Sequence, residues 1–133
     1  MADQQQLRKS YITIPLSLAA VAAGVATFIA THAMRVISAQ LTLSNVGTGA
    51  GATTVIAKLN GNAIATSAAL TLTVAGGVKA VKATVPGTTT AQSYPGGLRV
   101  NAGDTITVDV TALPATTSPA IASVILSVTQ LDI

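Results

Sequence analysis

Apolar and polar residues alternate along much of the chain, and this period of two predicts β-strands. Residues 105–110 alternate throughout: Ile106, Val108 and Val110 share one face, and the threonines between them lie with Asp109 on the other. A strand with one apolar face packs that face on a core and leaves the other toward solvent. We therefore expect residues 105–110 to form a half-buried strand.

Two further runs extend this pattern. Residues 35–44 also alternate, which predicts that their apolar side chains point inward, namely Ile37, Ala39, Leu41 and Leu43. Residues 123–131 are apolar on both faces. Such a strand is typical of the centre of a sheet or of an interface between subunits.

Turn residues separate these runs at short intervals. Asn60-Gly61 stands between two β-like segments and predicts a two-residue hairpin, because a type I′ turn requires positive φ at both central positions. Other breaks lie in 47–51, 76–77, 86–87, 95–97 and 103–104. The predicted strands are 11–18, 25–30, 34–44, 52–59, 62–66, 68–74, 78–85, 97–101, 105–113 and 121–131. This spacing predicts an all-β fold, a single-domain antiparallel β-sandwich or barrel.

The segment from Ser10 to Met34 contains no charged residue and permits three interpretations. It is long enough for a transmembrane helix, but it is rich in Ala, Thr and Ser, which contribute little to insertion. A basic pair followed by an apolar run is also a feature of signal peptides. The third interpretation divides the run into two strands, with a turn near Gly24. Pro15 would then confine the first strand to an edge or to a position whose N–H is unpaired.

The strand interpretation gives the chain one folded domain. Residues 1–10 are polar and predict a flexible N-terminal arm, and residues 11–133 are expected to form the sandwich. A length of 133 residues fits one domain with a core of its own. Because the chain has one Phe and no Trp, this core must consist of Val, Ile, Leu and Ala. We expect an oligomer interface to supply part of the stability.

Charge excludes some partners. Charged residues make up 8% of the chain, and the formal net charge of +3 reflects few acids rather than a basic patch. Nucleic-acid binding surfaces combine clustered Lys and Arg with stacking aromatic side chains, and neither is present.

The chain has no Cys, so neither a disulfide framework nor a thiolate metal site is expected.

No group of residues predicts catalysis or a cofactor. Asp104 follows Gly103 and is typical of a turn cap, and Asp104 and Asp109 have opposite strand parity, which argues against a catalytic pair. His32 is the only histidine, so a histidine-based triad or a histidine-rich metal site is not expected. The glycine-rich residues 47–51 join two strands and lack the helix and lysine of a phosphate loop. We expect a protein that is not an enzyme and binds no cofactor.

Several segments together resemble small virion proteins of tailed bacteriophages, those related to head decoration or cement proteins. The similarity spans about residues 11–131, and the segments concerned are 15–24, 35–40, 58–64, 101–110 and the apolar closing strand. The resemblance implies a jelly-roll-like sandwich, a homotrimer, on the outer surface of an icosahedral phage head. There it would bind the major capsid protein and stabilise capsomer contacts.

The resemblance also implies a location in the virion, after synthesis in the host cytoplasm, with no nucleic acid or membrane partner. It contributes no catalytic residue. The polar arm could reach a capsid protein or a neighbouring subunit and become ordered by strand addition. The candidate contacts are Gln4, Gln5, Gln6, Leu7, Arg8 and Lys9.

A second hypothesis is a secreted or surface-filament subunit of the pilin type. Residues 12–33 would form an apolar helical stalk in that case, and the rest a β head. Pilins usually have an acid early in the stalk, and none occurs between Ser10 and Met34. A glycan-binding module has less support, because such sites use exposed aromatic side chains and only Tyr11 and Tyr94 are candidates.

Overall fold

The chain folds into antiparallel strands. A computed structural model describes residues 9–64, 69–84, 93–94 and 97–130, and within these residues it contains eleven strands and no helix. The strands are β1 (Lys9–Leu16), β2 (Ala22–Ile29), β3 (Met34–Leu43), β4 (Ala52–Leu59), β5 (Asn62–Ala63), β6 (Leu70–Thr73), β7 (Ala80–Thr84), β8 (Ser93–Tyr94), β9 (Gly97–Val100), β10 (Thr105–Ala112) and β11 (Ala122–Gln130).

These strands form two antiparallel sheets. In sheet I, with six strands, β11 lies between β1 and β3. The other side of β3 pairs with β9 near Met34 and with β7 from Ser38 to Thr42, and β8 pairs with β9. In sheet II, with five strands, β10 lies between β2 and β4, and β4 pairs on its other side with β5 and β6. The predicted all-β sandwich is confirmed.

Eight of the eleven strands, which we call the main strands and which exclude β5, β8 and β9, pair in a nested order. The first main strand, β1, pairs with the last, β11, and β2 pairs with β10. Inside these, β3 pairs with β7 and β4 pairs with β6. The chain thus follows one long hairpin of four strand pairs, and alternate pairs belong to opposite sheets. The first and last strands, β1 and β11, form the outermost pair of this hairpin and are therefore neighbours in sheet I.

The uncharged opening segment forms β1 and β2, which confirms the two-strand prediction. The predicted turn near Gly24 is wrong, because the strands are joined at residues 17–21 and Gly24 lies within β2. The alternative of a helix over residues 12–33 is wrong, because the side chains of Ile14, Leu18 and Ala30 belong to the core between the sheets. Pro15 lies in β1, at the edge of sheet I, as its missing N–H predicts. In the described residues no helix is long and apolar enough to cross a membrane.

Aliphatic side chains from both sheets fill the core. In β10, the inward residues Ile106, Val108 and Val110 are buried, as predicted, and Asp109 lies on the opposite face. The core contains Met, Leu, Ile, Val and Ala, while Phe28 is only partly buried at its margin. Each fully buried large aliphatic side chain contributes about 1.5–3 kcal/mol to folding by its removal from water.

A β-bulge in β3 corrects one prediction. Ser38 pairs with Ser127, but the next pair is Val36 with Val128, so Ile37 is an extra residue in the ladder. Met34 and Val36 are buried before the bulge, and Ala39, Leu41 and Leu43 are buried after it. The prediction that Ile37 points inward is therefore wrong, because the inserted residue shifts the alternation by one position.

The predicted hairpin at Asn60-Gly61 is present. Asn60 has φ of 49° and Gly61 has φ of 92°, so both central residues adopt the left-handed conformation that a type I′ turn requires. The turn joins β4 to β5, with Leu59 opposite Asn62. Strand β5 is shorter than the predicted strand 62–66, whose last two residues lie outside the described part of the chain.

Candidate functional site

The predicted contact residues lie at the N-terminus. Gln4, Gln5, Gln6, Leu7 and Arg8 are outside the described residues. Lys9 is the first residue of β1 and pairs with Thr129 of β11. The strand thus begins two residues before position 11, where the domain was predicted to start. The function of these residues stays a prediction.

Asp104 has a structural position in the turn between β9 and β10. Its Oδ2 accepts the backbone N–H of Asn101 at 2.9 Å, and its own N–H donates to the Asn101 carbonyl at 3.0 Å. The Asp104 carbonyl also accepts the N–H of Ala30, which connects this turn to the end of β2. The carboxylate therefore caps a turn, as its place before the strand predicts.

Asp109 lies on the outer face of sheet II and forms a salt bridge with Lys58. Its Oδ2 lies 2.7 Å from Lys58 Nζ, and its Oδ1 accepts the N–H of Gly24 at 2.8 Å. The hydrogen bond from Lys58 and that from Gly24 lower the pKa of Asp109, against the smaller opposing effect of burial. The carboxylate is thus ionised at neutral pH and already has two partners within the chain.

His32 lies in the connection between β2 and β3, where it is exposed and its Nδ1 is 3.0 Å from the hydroxyl of Thr31. Within the described residues, no three His, Cys, Asp or Glu side chains come together as metal ligands would. Asp104 therefore caps a turn, Asp109 joins neighbouring strands, and His32 lies in an exposed loop.

The glycine-rich residues 47–51 form a loop between β3 and β4, as predicted. This loop packs along the connection between β10 and β11: Thr48 N–H donates to the Thr117 carbonyl at 2.9 Å, and Ala115 N–H donates to the Ala50 carbonyl at 2.9 Å. Gly49 has φ of +91° and lies directly against Thr116. Glycine is required there both for its positive φ and for the close approach of the two backbone segments.

Large apolar side chains are exposed at the same end of the sandwich. We define the loop end as the connections 17–21, 44–51, 74–79 and 113–121, which the strand pairing places together. Val21, Val78 and Ile121 are 56%, 57% and 69% exposed there, and Lys79 is the only charged residue in the four connections. A surface of this kind is typical of a protein contact.

The outer face of sheet I contains a shallow depression of about 370 Å³. We call it the sheet I depression; its lining residues are Tyr11, Ile37, Ser38, Gln40, Lys82, Ile125 and Ser127. None of these residues, and none of the exposed residues at the loop end, was among the predicted contacts. One signal for these surfaces was present in the sequence, namely the close pair Lys79 and Lys82. The sequence did not show on which face of the sandwich each lysine lies.

Comparison with known proteins identifies no relative. No protein-family model matches the chain, no curated protein matches it, and no solved structure matches it. The strand pairing and the two exposed surfaces are therefore the basis for a functional proposal.

Proposed function

We propose that the protein is a non-enzymatic structural protein of a virion, a capsid decoration protein that binds the outer surface of a phage head as a homotrimer. The observation on which this depends is the nested pairing of β1 with β11, β2 with β10, β3 with β7 and β4 with β6. We infer from it that the sandwich is a jelly roll, a fold common in viral capsid proteins and in lectins and cupins.

The interior and the surface favour a structural role over the other uses of this fold. Function depends on sites rather than on the fold itself. Aliphatic side chains of the described residues lie between the sheets, including Leu41, Leu98 and Leu126, which favours a packed core over a ligand chamber. Three of the five exposed large hydrophobic side chains in the described residues are instead at the loop end, where they are suited to contact another protein.

The loop end is the surface that we assign to the major capsid protein. Val21, Val78 and Ile121 supply apolar area, and the surrounding Ala, Gly, Ser and Thr side chains permit a close approach of two backbones. Residues 1–8 of the predicted N-terminal arm precede Lys9, which lies at the opposite end of β1 from the loop end. We propose that the arm contacts a neighbouring subunit or the capsid protein by strand addition.

Immunogold electron microscopy of the virions produced from the encoding genome tests the location. We expect antibody against the chain to label the heads. Labelling of tails, or no labelling, would contradict the proposal.

Light scattering after size-exclusion chromatography tests the trimer, for which we expect a mass of about 39 kDa from chains of 13.1 kDa.

A matched pair of variants tests the contact surface. Heads from virions that lack the gene are mixed with purified protein, and the bound fraction is measured by sedimentation. Ile121→Ser should weaken attachment, because it removes an exposed apolar side chain from the loop end. Ile29→Ser is the control, since Ile29 is 59% exposed but lies at the other end of the sandwich. Equal binding by both variants would exclude the loop end. Deletion of residues 1–8 tests the arm in the same assay: it should weaken attachment without unfolding the domain, and unchanged attachment would exclude the arm as a contact.

A further inference from the structure

The strand register explains why the outer face of sheet I has a depression. One row across three strands consists of Tyr11, Ser127 and Ser38. The two serines are small, and they lie beside the tyrosine ring, which is 67% exposed. The next row contains larger side chains, Ile125, Gln40 and Lys82. The low row beside this taller one leaves the open volume of about 370 Å³.

The bulge in β3 gives this depression an apolar wall. Regular alternation would point Ile37 into the core, but as the extra residue of the ladder it lies on the outer face instead. Its side chain and that of Ile125 are half-buried and line the depression together. Bulges commonly redirect one side chain in this way beside functional sites.

Lys82 supplies a positive charge at the rim of the depression. Its side chain is exposed, and within the described residues no carboxylate lies at salt-bridge distance from its Nζ. Lys58, on the outer face of sheet II, differs because Asp109 neutralises it at 2.7 Å. Among the described residues, the depression therefore combines an ammonium group that no carboxylate neutralises with apolar walls and with the hydrogen-bonding groups of Ser38 and Gln40.

We propose that the sheet I depression binds an acidic segment of a partner protein, with a carboxylate at Lys82 and an adjacent apolar side chain against Ile37 and Ile125. Among the described residues, charge complementarity favours a partner other than a second copy of this chain. Both aspartates in the described residues already accept hydrogen bonds within the chain, Asp104 from Asn101 and Asp109 from Gly24. A volume near the lower limit of small-ligand sites, about 300 Å³, fits a few side chains rather than a large ligand. That this partner belongs to the virion rests on the proposed function.

Titration of the full ¹⁵N-labelled chain, followed by NMR, tests the site. The probe is the blocked peptide Ac-Ala-Val-Asp-Val-Asp-Ala-NH2, and the control probe has Asn in both Asp positions. We expect the acidic peptide to shift the amide signals of residues 37–40, 82 and 125–127, and the Asn peptide to bind at least about threefold more weakly, as expected for the loss of exposed charge pairs.

Two lysine variants locate the charge that the peptide recognises. Lys82→Gln should weaken binding of the acidic peptide about two- to fivefold, the effect of one exposed ion pair. Lys79→Gln removes the same charge from an exposed residue that does not line the depression, and it should leave the affinity unchanged. Dispersed spectra establish that each variant is folded. No shifts, shifts on another surface, equal binding of the two peptides, or equal effects of the two variants would overturn the proposal. Because the titration uses no virion, its result is independent of the immunogold experiment.

Discussion

The backbone N–H of Gly24 donates a hydrogen bond of 2.8 Å to Oδ1 of Asp109, a residue 85 positions later in the chain. Gly24 has φ of +64° and lies in an irregular part of β2, between the pairs Ala26–Val108 and Ala22–Val110. The other oxygen of the carboxylate lies 2.7 Å from Lys58 Nζ on β4. One carboxylate thus links the three strands β2, β10 and β4.

Replacement of Asp109 should loosen this edge of sheet II. Asp109→Ala removes both the charge and the acceptor for Gly24, and we expect a loss of about 1–2 kcal/mol in the free energy of unfolding. The lower part of the usual range applies because Lys58 is 33% exposed and its attraction is screened by solvent. Urea unfolding at pH 7 measures the change. Asp109→Asn is the matched control and should cost less, since its amide oxygen can still accept the N–H of Gly24.

The same carboxylate predicts a dependence of stability on pH. Because Lys58 and Gly24 hold the pKa of Asp109 below its ordinary value, the folded state binds this proton less readily than the unfolded state. The resulting stabilisation is complete above the unfolded pKa of about 4, and is lost as the pH falls through the folded pKa. The difference in unfolding free energy between the wild type and Asp109→Asn should therefore shrink from pH 7 to pH 2.5. A constant difference would contradict the shift.

Alternation predicted most of the strands because each sheet buries one face. β4 was predicted as 52–59 and is Ala52–Leu59, and β10 was predicted as 105–113 and is Thr105–Ala112. The uncharged opening segment was harder, since its composition also permits a helix. Its content of Ala, Thr and Ser argued against a membrane helix, and Pro15 predicted that the first strand lies at an edge, which is where the structure places it.

The bulge and the depression could not be predicted from local sequence. Ile37 is an extra residue only in relation to β11, so its direction depends on a strand more than 80 positions away. Lys82 and Tyr11 line one depression because β7, β3, β11 and β1 pair in a particular register. A single sequence contains the strands but not the pairing that brings these side chains together. β8, of two residues, was also missed because so short a strand shows no period.

The bulge predicts unequal effects of two similar truncations in β3. Leu41→Ala removes a fully buried side chain from the core and should cost about 2–5 kcal/mol. Ile37→Ala truncates a half-buried side chain on the outer face and should cost about 1 kcal/mol or less. Urea unfolding of the two variants measures both values. Similar losses would mean that Ile37 points into the core and that the bulge is absent.

Gly49 and Gly103 form a matched pair for the packing of the glycine-rich loop. Their φ angles are +91° and +92°, so alanine at either position has the same conformational cost, about 1–2 kcal/mol. A Cβ at Gly49 would lie 2.5 Å from Thr116 Oγ1 and 2.7 Å from Thr116 N, whereas a Cβ at Gly103 would have no atom within 4 Å. Gly49→Ala should therefore destabilise by about 1–3 kcal/mol more than Gly103→Ala in thermal or urea unfolding. Equal losses would show that the two loops can separate at no cost.

A buried hydroxyl group predicts a stabilising substitution. Thr53 is fully buried in β4, and its Oγ1 has no hydrogen-bond partner within the described residues. Burial of such a group without a partner costs about 1–3 kcal/mol, and valine has nearly the same shape without the hydroxyl. Thr53→Val should therefore raise the free energy of unfolding by about 1 kcal/mol. The neighbouring Thr54 is the control, because its hydroxyl lies 3.2 Å from that of Thr71 at the exposed face, so Thr54→Val should give no gain. A loss on Thr53→Val would show that the hydroxyl has a partner in solution, such as a buried water molecule.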